Sequence, residues 1–274
     1  MTGCDTYRHK VRSNGAINQI PYATSRMVCP TVLKRAVDAG YVTAASGSPA
    51  FLSSYRLVDR DDPSKGEKSD YGILDYECVP TDTKVDNVEI PGGFIGYGKS
   101  ILYPNDTISC NLHYRLGMRN YEPPALTRDD RTVAFGEKHI REGCASLIAN
   151  HFDNNDHAGH TYGFGMNEDY MRTLIDTDKR MKIVLDAIKD AVNERDEEWL
   201  VLISSDHGGM GYAHSRSWQD DEVVPFIMGI YSKQSYGLKP FTESVHHYDI
   251  SCTIMKWLGI EYDEKSLDCR VQGI

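Results

Sequence analysis

An α/β fold with a mostly parallel central sheet flanked by helices is what this 274-residue chain predicts. Three observations carry that expectation. Two apolar, strand-like runs each end in a cluster of carboxylate and imidazole side chains. Helical and extended patterns alternate along the chain, and one long amphipathic segment separates the two runs. Open α/β sheets gather their ligands beyond the carboxyl ends of strands, so both clusters are expected at one sheet edge.

The elements follow in order. Pro30 to Ala39 reads as a helix ended by Gly40, with Val32, Leu33, Ala36 and Val37 roughly on one face. Pro30 suits the first turn, where no backbone N–H is needed. Tyr41 to Ala45 follows as a short strand. The polar stretch from about Asp59 to Asp130 holds Pro63, Pro80, Pro91, Pro104, Pro123 and Pro124, and reads as an insertion or cap. Thr132 to Gly143 is expected to be a helix leading into a strand over 145–152. Asn167 to Asn193 is the clearest helix, with Met171, Leu174, Leu185, Ile188 and Val192 as its packing face. Leu200 to Ser205 is an apolar, β-branched run before a glycine turn, consistent with a buried parallel strand.

The clusters carry the chemistry. The first is Asp156-His157-Ala158-Gly159-His160, and the second is Asp206-His207-Gly208-Gly209 with His214 following. A lone Asp-His pair before two glycines is ordinarily a surface turn. Two clusters at strand ends supply Asp156, His160, Asp206, His207 and His214, enough oxygen and nitrogen ligands for two zinc-like ions. Asp156 and His160 are four apart, a spacing that suits a helical turn or a compact loop. The glycines leave room beside the second cluster for the backbone to turn away. His157 is read as lining the site or facing solvent, and His151, Asp153, His246 and His247 are not assigned as ligands.

Composition narrows the classes. A net charge of -10, with no Lys/Arg cluster, gives no nucleic-acid-binding patch. It would also repel polyanionic substrates, so attraction would fall to local metal charge. There is no transmembrane run and no signal peptide, and the compartment stays open. The seven cysteines include no CxxC pair, which speaks against a cysteine zinc site, and their odd number against a fully paired disulfide set. Length alone allows one domain or two; the reading is a single domain over 1–274.

The pattern Asp-x-x-Gly-His-x-x-Gly, then Ser-Asp-His-Gly-Gly, then a nearby His, resembles the alkaline phosphatase superfamily, and within it the type I phosphodiesterase/nucleotide pyrophosphatase branch. Val223 to Gly229 is similar to the family's strand after the last metal ligand, and His247 to Ile260 to its closing helix. Thr2-Gly3-Cys4 with His9 and Asn14 resembles a segment near the family's N-terminal region. The resemblance implies an alkaline phosphatase-like sandwich and hydrolysis of a small-molecule phosphate ester, most readily a phosphodiester or pyrophosphate. It implies two divalent ions, zinc first with manganese or magnesium as alternatives. One would be held by Asp156, His160 and His214, the other by Asp206, His207 and a further Asp. That Asp and the nucleophilic Thr or Ser lie upstream of the Thr2-Gly3 segment in the family. The first strand and both residues are therefore expected to precede Met1, no catalytic nucleophile is assigned within the chain, and little activity is expected of it.

Other readings stay open. A phosphomonoesterase or phosphomutase of the same superfamily would fit the metals, although the mutase branch shows Asp-His-Gly-Asn where Gly209 stands here. A sulfatase is disfavoured because its Cys/Ser-x-Pro-x-Arg signature is absent. A catalytically incomplete fold acting as a binding protein is the reading from a different class.

Overall fold

A computed structural model of the protein describes residues 2–5, 8, 29–47, 128–143, 145–214, 224–241 and 244–274. The elements are α1 (Val32–Asp38), β1 (Thr43–Gly47), α2 (Arg128–Glu142), β2 (Leu147–His151), α3 (Asn154–Tyr162), α4 (Glu168–Arg195), β3 (Trp199–Ser204), β4 (Phe226–Tyr231) and α5 (Asp249–Leu258), with a 3-10 turn at Glu264–Ser266. The content is α/β, as expected. Among the described residues the strands form a small parallel β1–β2 sheet and a separate β3–β4 pair. The described residues fall into two compact units, one drawn from 1–102, 142–149 and 234–274, the other from 103–141 and 150–233.

In the first unit, α1 and α5 bury Val32 and Met255 beside Cys4, Cys29, Cys252 and Leu267. Disulfides join Cys4 to Cys29 and Cys252 to Cys269. The other three cysteines, Cys78, Cys110 and Cys144, lie outside the described residues. Asp249 is wholly buried, and its carboxylate accepts hydrogen bonds from the backbone N–H of Arg270 (2.8 Å) and His246 (3.0 Å) and from Gln272 Nε2 (2.7 Å). Thr253 Oγ1 accepts from Gln272 N at 3.0 Å. A buried carboxylate needs such donors to offset its lost hydration, and here they lace the chain's last residues onto α5.

The second unit is organised around α4. Asn167 caps the helix, its side chain accepting from Tyr170 N, and Asp196 ends it at φ 58°. Asn167 thus falls at the predicted start, and the helix runs two residues past the predicted end. Ile183, Val184, Ala187, Ile188, Ala191 and Val192 are its buried positions, while Met171, Leu174 and Leu185 are half-buried, so only the second half is a full packing face. Arg180, buried with α4, pairs at 2.8 Å with the fully buried Asp130 of α2. At the other end Arg195 donates to the backbone carbonyls of Ile140 and Arg141, which close α2, supplying partners that a helix C-terminus lacks.

One expectation changes. The run over 199–204 is not a parallel strand: β3 pairs antiparallel with β4, Trp199 opposite Tyr231 through Ser204 opposite Phe226, and it is half-buried. A continuous apolar run fixes burial and not the direction of the partner. The stretch 59–130 lies outside the described residues except for its end, where Asp129 and Asp130 are buried in the first turn of α2. Their burial has a purpose: Asp129 accepts from the N–H groups of Asp153 (2.8 Å) and Asn154 (3.1 Å), capping α3 from outside. His9 and Asn14 also lie outside the described residues.

Two outcomes follow. Replacing Cys252 and Cys269 together by Ser opens a loop with a sequence separation of 17, and should cost about 3 kcal/mol by chemical denaturation. For Asp129, desolvation by burial raises the carboxyl, outweighing the lowering by the Asp153 and Asn154 N–H groups and by Arg180. A raised folded-state value means this group's contribution is full below the unfolded value, near 4, and fades as pH rises through the folded one. Asp129→Asn, neutral throughout, should therefore destabilise more near pH 4 than near pH 7 in urea melts of the metal-free chain. An equal loss at both would remove the assignment.

Candidate metal centre

All the ligands expected from the sequence lie in the second unit. Asp156 and His160 stand one turn apart on α3, which begins where Asp129 receives its first N–H groups. Asp206 and His207 follow directly after β3, and His214 closes the loop beyond them. Helix and loop meet through Phe164. A Cβ at Gly159 would come within 2.2 Å of that ring, and one at Gly209 within 2.6 Å. Both positions must lack a side chain for the ring to sit between them. Gly209 thus makes room for Phe164, where the sequence had suggested room for a turn. Phe164 N also donates to Gly211 O at 2.6 Å, and the ring meets His160 and His214 edge-on at centroid distances of 5.6 and 6.3 Å.

The outcome is a ring of Nε2 atoms around one carboxylate oxygen. Asp156 Oδ1 lies 3.4 Å from His160 Nε2, 3.5 Å from His214 Nε2 and 4.0 Å from His207 Nε2. The candidate ligand atoms of Asp156, His160 and His214 all fall within 4.8 Å of one another. Yet Asp156 Oδ1 is buried and accepts no hydrogen bond. The tautomers explain why. His160 Nδ1 faces Tyr212 O at 3.0 Å, and His207 Nδ1 faces Gly208 O at 2.8 Å. A carbonyl can only accept, so Nδ1 carries a proton on each ring, and in its neutral form such a ring turns a lone pair at Nε2 toward the carboxylate. Lone pairs gathered on a carboxylate oxygen repel unless a cation lies among them. Backbone carbonyls fixing Nδ1–H are also the usual outer partners of metal-ligating histidines.

Asp206 also faces His207, its Oδ2 3.5 Å from His207 Nε2. Desolvation pushes its carboxyl up, but a hydrogen bond with the His151 side chain and the charges that His207 and His151 carry when protonated outweigh this and hold it down to about 2. Near Asp156, desolvation and then the Asp156 charge push the Tyr170 hydroxyl up, so it stays a neutral phenol.

The sequence reading passed over His151 and Phe164. His151 closes β2 and lies 3.9 Å from Asp206 Oδ2. Its signal is the same as that of Asp206, a polar residue at the end of an apolar strand. Phe164 had no such signal, since its role depends on two glycines distant in sequence. His157 is exposed on α3, and His246 and His247 are exposed in the other unit.

No curated protein matches this chain. A family model described as type I phosphodiesterase / nucleotide pyrophosphatase matches residues 69–247, well over half of the 274. The match spans both clusters, and it leaves out Thr2-Gly3-Cys4 and nearly all of the closing-helix segment. The chain therefore belongs to the type I phosphodiesterase / nucleotide pyrophosphatase family, a family of phosphodiesterase- and pyrophosphatase-type hydrolases.

Proposed function

We propose that this protein is a metal-dependent hydrolase of phosphodiester or pyrophosphate bonds in a small-molecule substrate, working between α3 and the 206–214 loop. The observation that carries the reading is the buried Asp156 oxygen faced by three imidazole Nε2 atoms without a hydrogen bond. Asp156, His160 and His214 would hold one divalent ion, and Asp206 and His207 would contribute to a second. Zinc suits a set of imidazoles and carboxylates, with manganese as the alternative. When bound, such a pair supplies Lewis-acid stabilisation of the attacking and leaving oxygens of an in-line displacement.

The chain's own residues supply the rest. The Tyr212 and Gly208 carbonyls hold His160 and His207 in the Nδ1–H tautomer, so both rings are ready to ligate without shedding a proton at Nε2. Asp206 is already ionised at any working pH. Phe164 and Tyr170 wall the Asp156 side of the site with apolar surface, which strengthens charge interactions there. The reading of a catalytically incomplete, metal-binding fold is favoured by one observation. Among the described residues, Ser205 and Thr161 beside the site each donate to a backbone carbonyl, of His207 (2.6 Å) and of His157 (2.8 Å).

The test combines zinc titration by calorimetry with hydrolysis of bis(p-nitrophenyl) phosphate. Asp156→Ala should abolish one class of zinc binding and slow hydrolysis at least about a hundredfold, the rate equivalent of losing several kcal/mol of charge stabilisation. Zinc affinity should weaken below about pH 6.5, where protons compete for imidazole. Zinc binding without turnover would select the incomplete fold, and a chain that takes no divalent ion would end both readings.

A further inference from the structure

Four large apolar side chains stand out into solvent beside the metal centre. Met166 is 89% exposed, Met210 and Tyr212 are 67% exposed, and Tyr162 is 49% exposed. Apolar residues exposed singly need no explanation, whereas a group of them around one site marks a contact surface. All four belong to the second unit, on the two turns that follow His160 and His207. We propose that Tyr162, Met166, Met210 and Tyr212 form the surface that receives the organic group of the substrate ester, and that this group is apolar and uncharged. The inference rests on the metal-dependent reading above, and deepens it by naming what the phosphate carries.

The backbone under these side chains is tied down while the side chains are held out. Met210 N donates to Ala213 O at 3.0 Å and Ala213 N to Met210 O at 3.3 Å, which closes a tight turn. Phe164 N donates to Gly211 O, and Asn167 Nδ2 donates to the carbonyls of Tyr162 (3.3 Å) and Gly163 (2.6 Å). The Tyr212 carbonyl faces His160 Nδ1, so the residue that presents a ring to solvent also sets one imidazole of the triad. That ring lies over Gly163, where a Cβ would stand 3.6 Å from it. The two turns thus lie against each other beside the triad. Side chains presented on an ordered backbone lose little further freedom when a ligand settles on them.

The chemistry of the surface selects its occupant. Two phenol rings and two thioethers offer apolar area, with two hydroxyls as their only strong hydrogen-bonding groups. Rings stack on planar groups, and thioethers adapt to irregular apolar shapes. Among the described residues, the charges that follow Met166 most closely in the chain are Glu168 and Asp169, which share Arg172. Two carboxylates against one guanidinium leave that edge acidic and disfavour an anionic group. An ester whose phosphate is held at the triad has this surface beside it.

Calorimetric titration of the zinc-loaded chain with phenylphosphonate and with methylphosphonate tests the proposal by binding alone, at a pH where both are dianions. The probes carry the same charge and differ by a ring against a methyl group. Phenylphosphonate should bind about tenfold more tightly, the equivalent of one well-placed ring contact. Tyr212→Ala and Met210→Ala should each reduce that ratio and together bring it close to one, whereas Tyr212→Phe, which keeps the ring, should retain it. Zinc stoichiometry and far-UV circular dichroism of each variant establish that the centre is kept. Where Tyr212→Ala loses zinc, Met166→Ser combined with Met210→Ser carries the comparison. Equal binding of the two probes, or a ratio that survives these variants, overturns the proposal and leaves the metal-dependent reading standing. Zinc uptake with binding of neither probe overturns it as well. So does a dimer in sedimentation that Tyr212→Ala returns to monomer, which would assign the surface to a second copy of the chain. A chain that takes up no zinc strikes the underlying reading instead.

Discussion

The seating of the Phe164 ring between Gly159 and Gly209 is the constraint on which the site depends. Two clusters of carboxylate and imidazole side chains about fifty residues apart in sequence come together where an aromatic ring fills the space of two missing side chains. A methyl group at either glycine would meet the ring at well under contact distance, and both glycines face ring atoms with little freedom to yield. The ring also touches the imidazoles of His160 and His214 edge-on, one on each side of the junction. Edge-to-face contacts of this kind contribute about 0.5–1.5 kcal/mol each beyond the area they bury. Their greater effect is positional, because they fix where the imidazoles of α3 and of the loop sit.

A second layer supports the first. Asp129 and Asp130 are adjacent on α2 and fully buried, yet they serve different partners, the start of α3 and the guanidinium of Arg180 on α4. A buried ion pair is weak evidence of stability, since its desolvation offsets most of its attraction. Its directional value is clearer here. One turn of α2 sets the origin of the ligand-bearing helix and the position of the longest helix together. The candidate ligands therefore rest on regular elements at their roots, and only the 206–214 segment is loop.

Much of this was legible in sequence where the signal was local. The start of α4 was readable because Asn167, an effective cap, precedes acidic residues and a helical stripe. The placement of Asp156 and His160 one turn apart was readable from their spacing. What escaped depended on partners distant in the chain. The apolar run of β3 is equally suited to parallel and antiparallel neighbours, and β4 decided the matter. Asp129 and Asp130 look like solvent-facing acids in a polar stretch, and only Arg180 and the exposed N–H groups of α3 explain their burial. His151 ends its strand in plain view, but Asp206 lies more than fifty residues later, so nothing local marks their meeting.

The two disulfides bear on how the site can be handled. Cys252–Cys269 fastens the segment whose N–H groups satisfy buried Asp249, so reducing it loosens a polar network as well as a covalent loop. Dithiol reductants break such bonds, and their thiolates also compete for zinc. Added to this protein, one reagent would act on the covalent frame of the first unit and on the imidazole and carboxylate cluster of the second. Loss of function under reducing conditions would then report two separate events, which a monothiol of low metal affinity and a metal chelator used in turn would resolve.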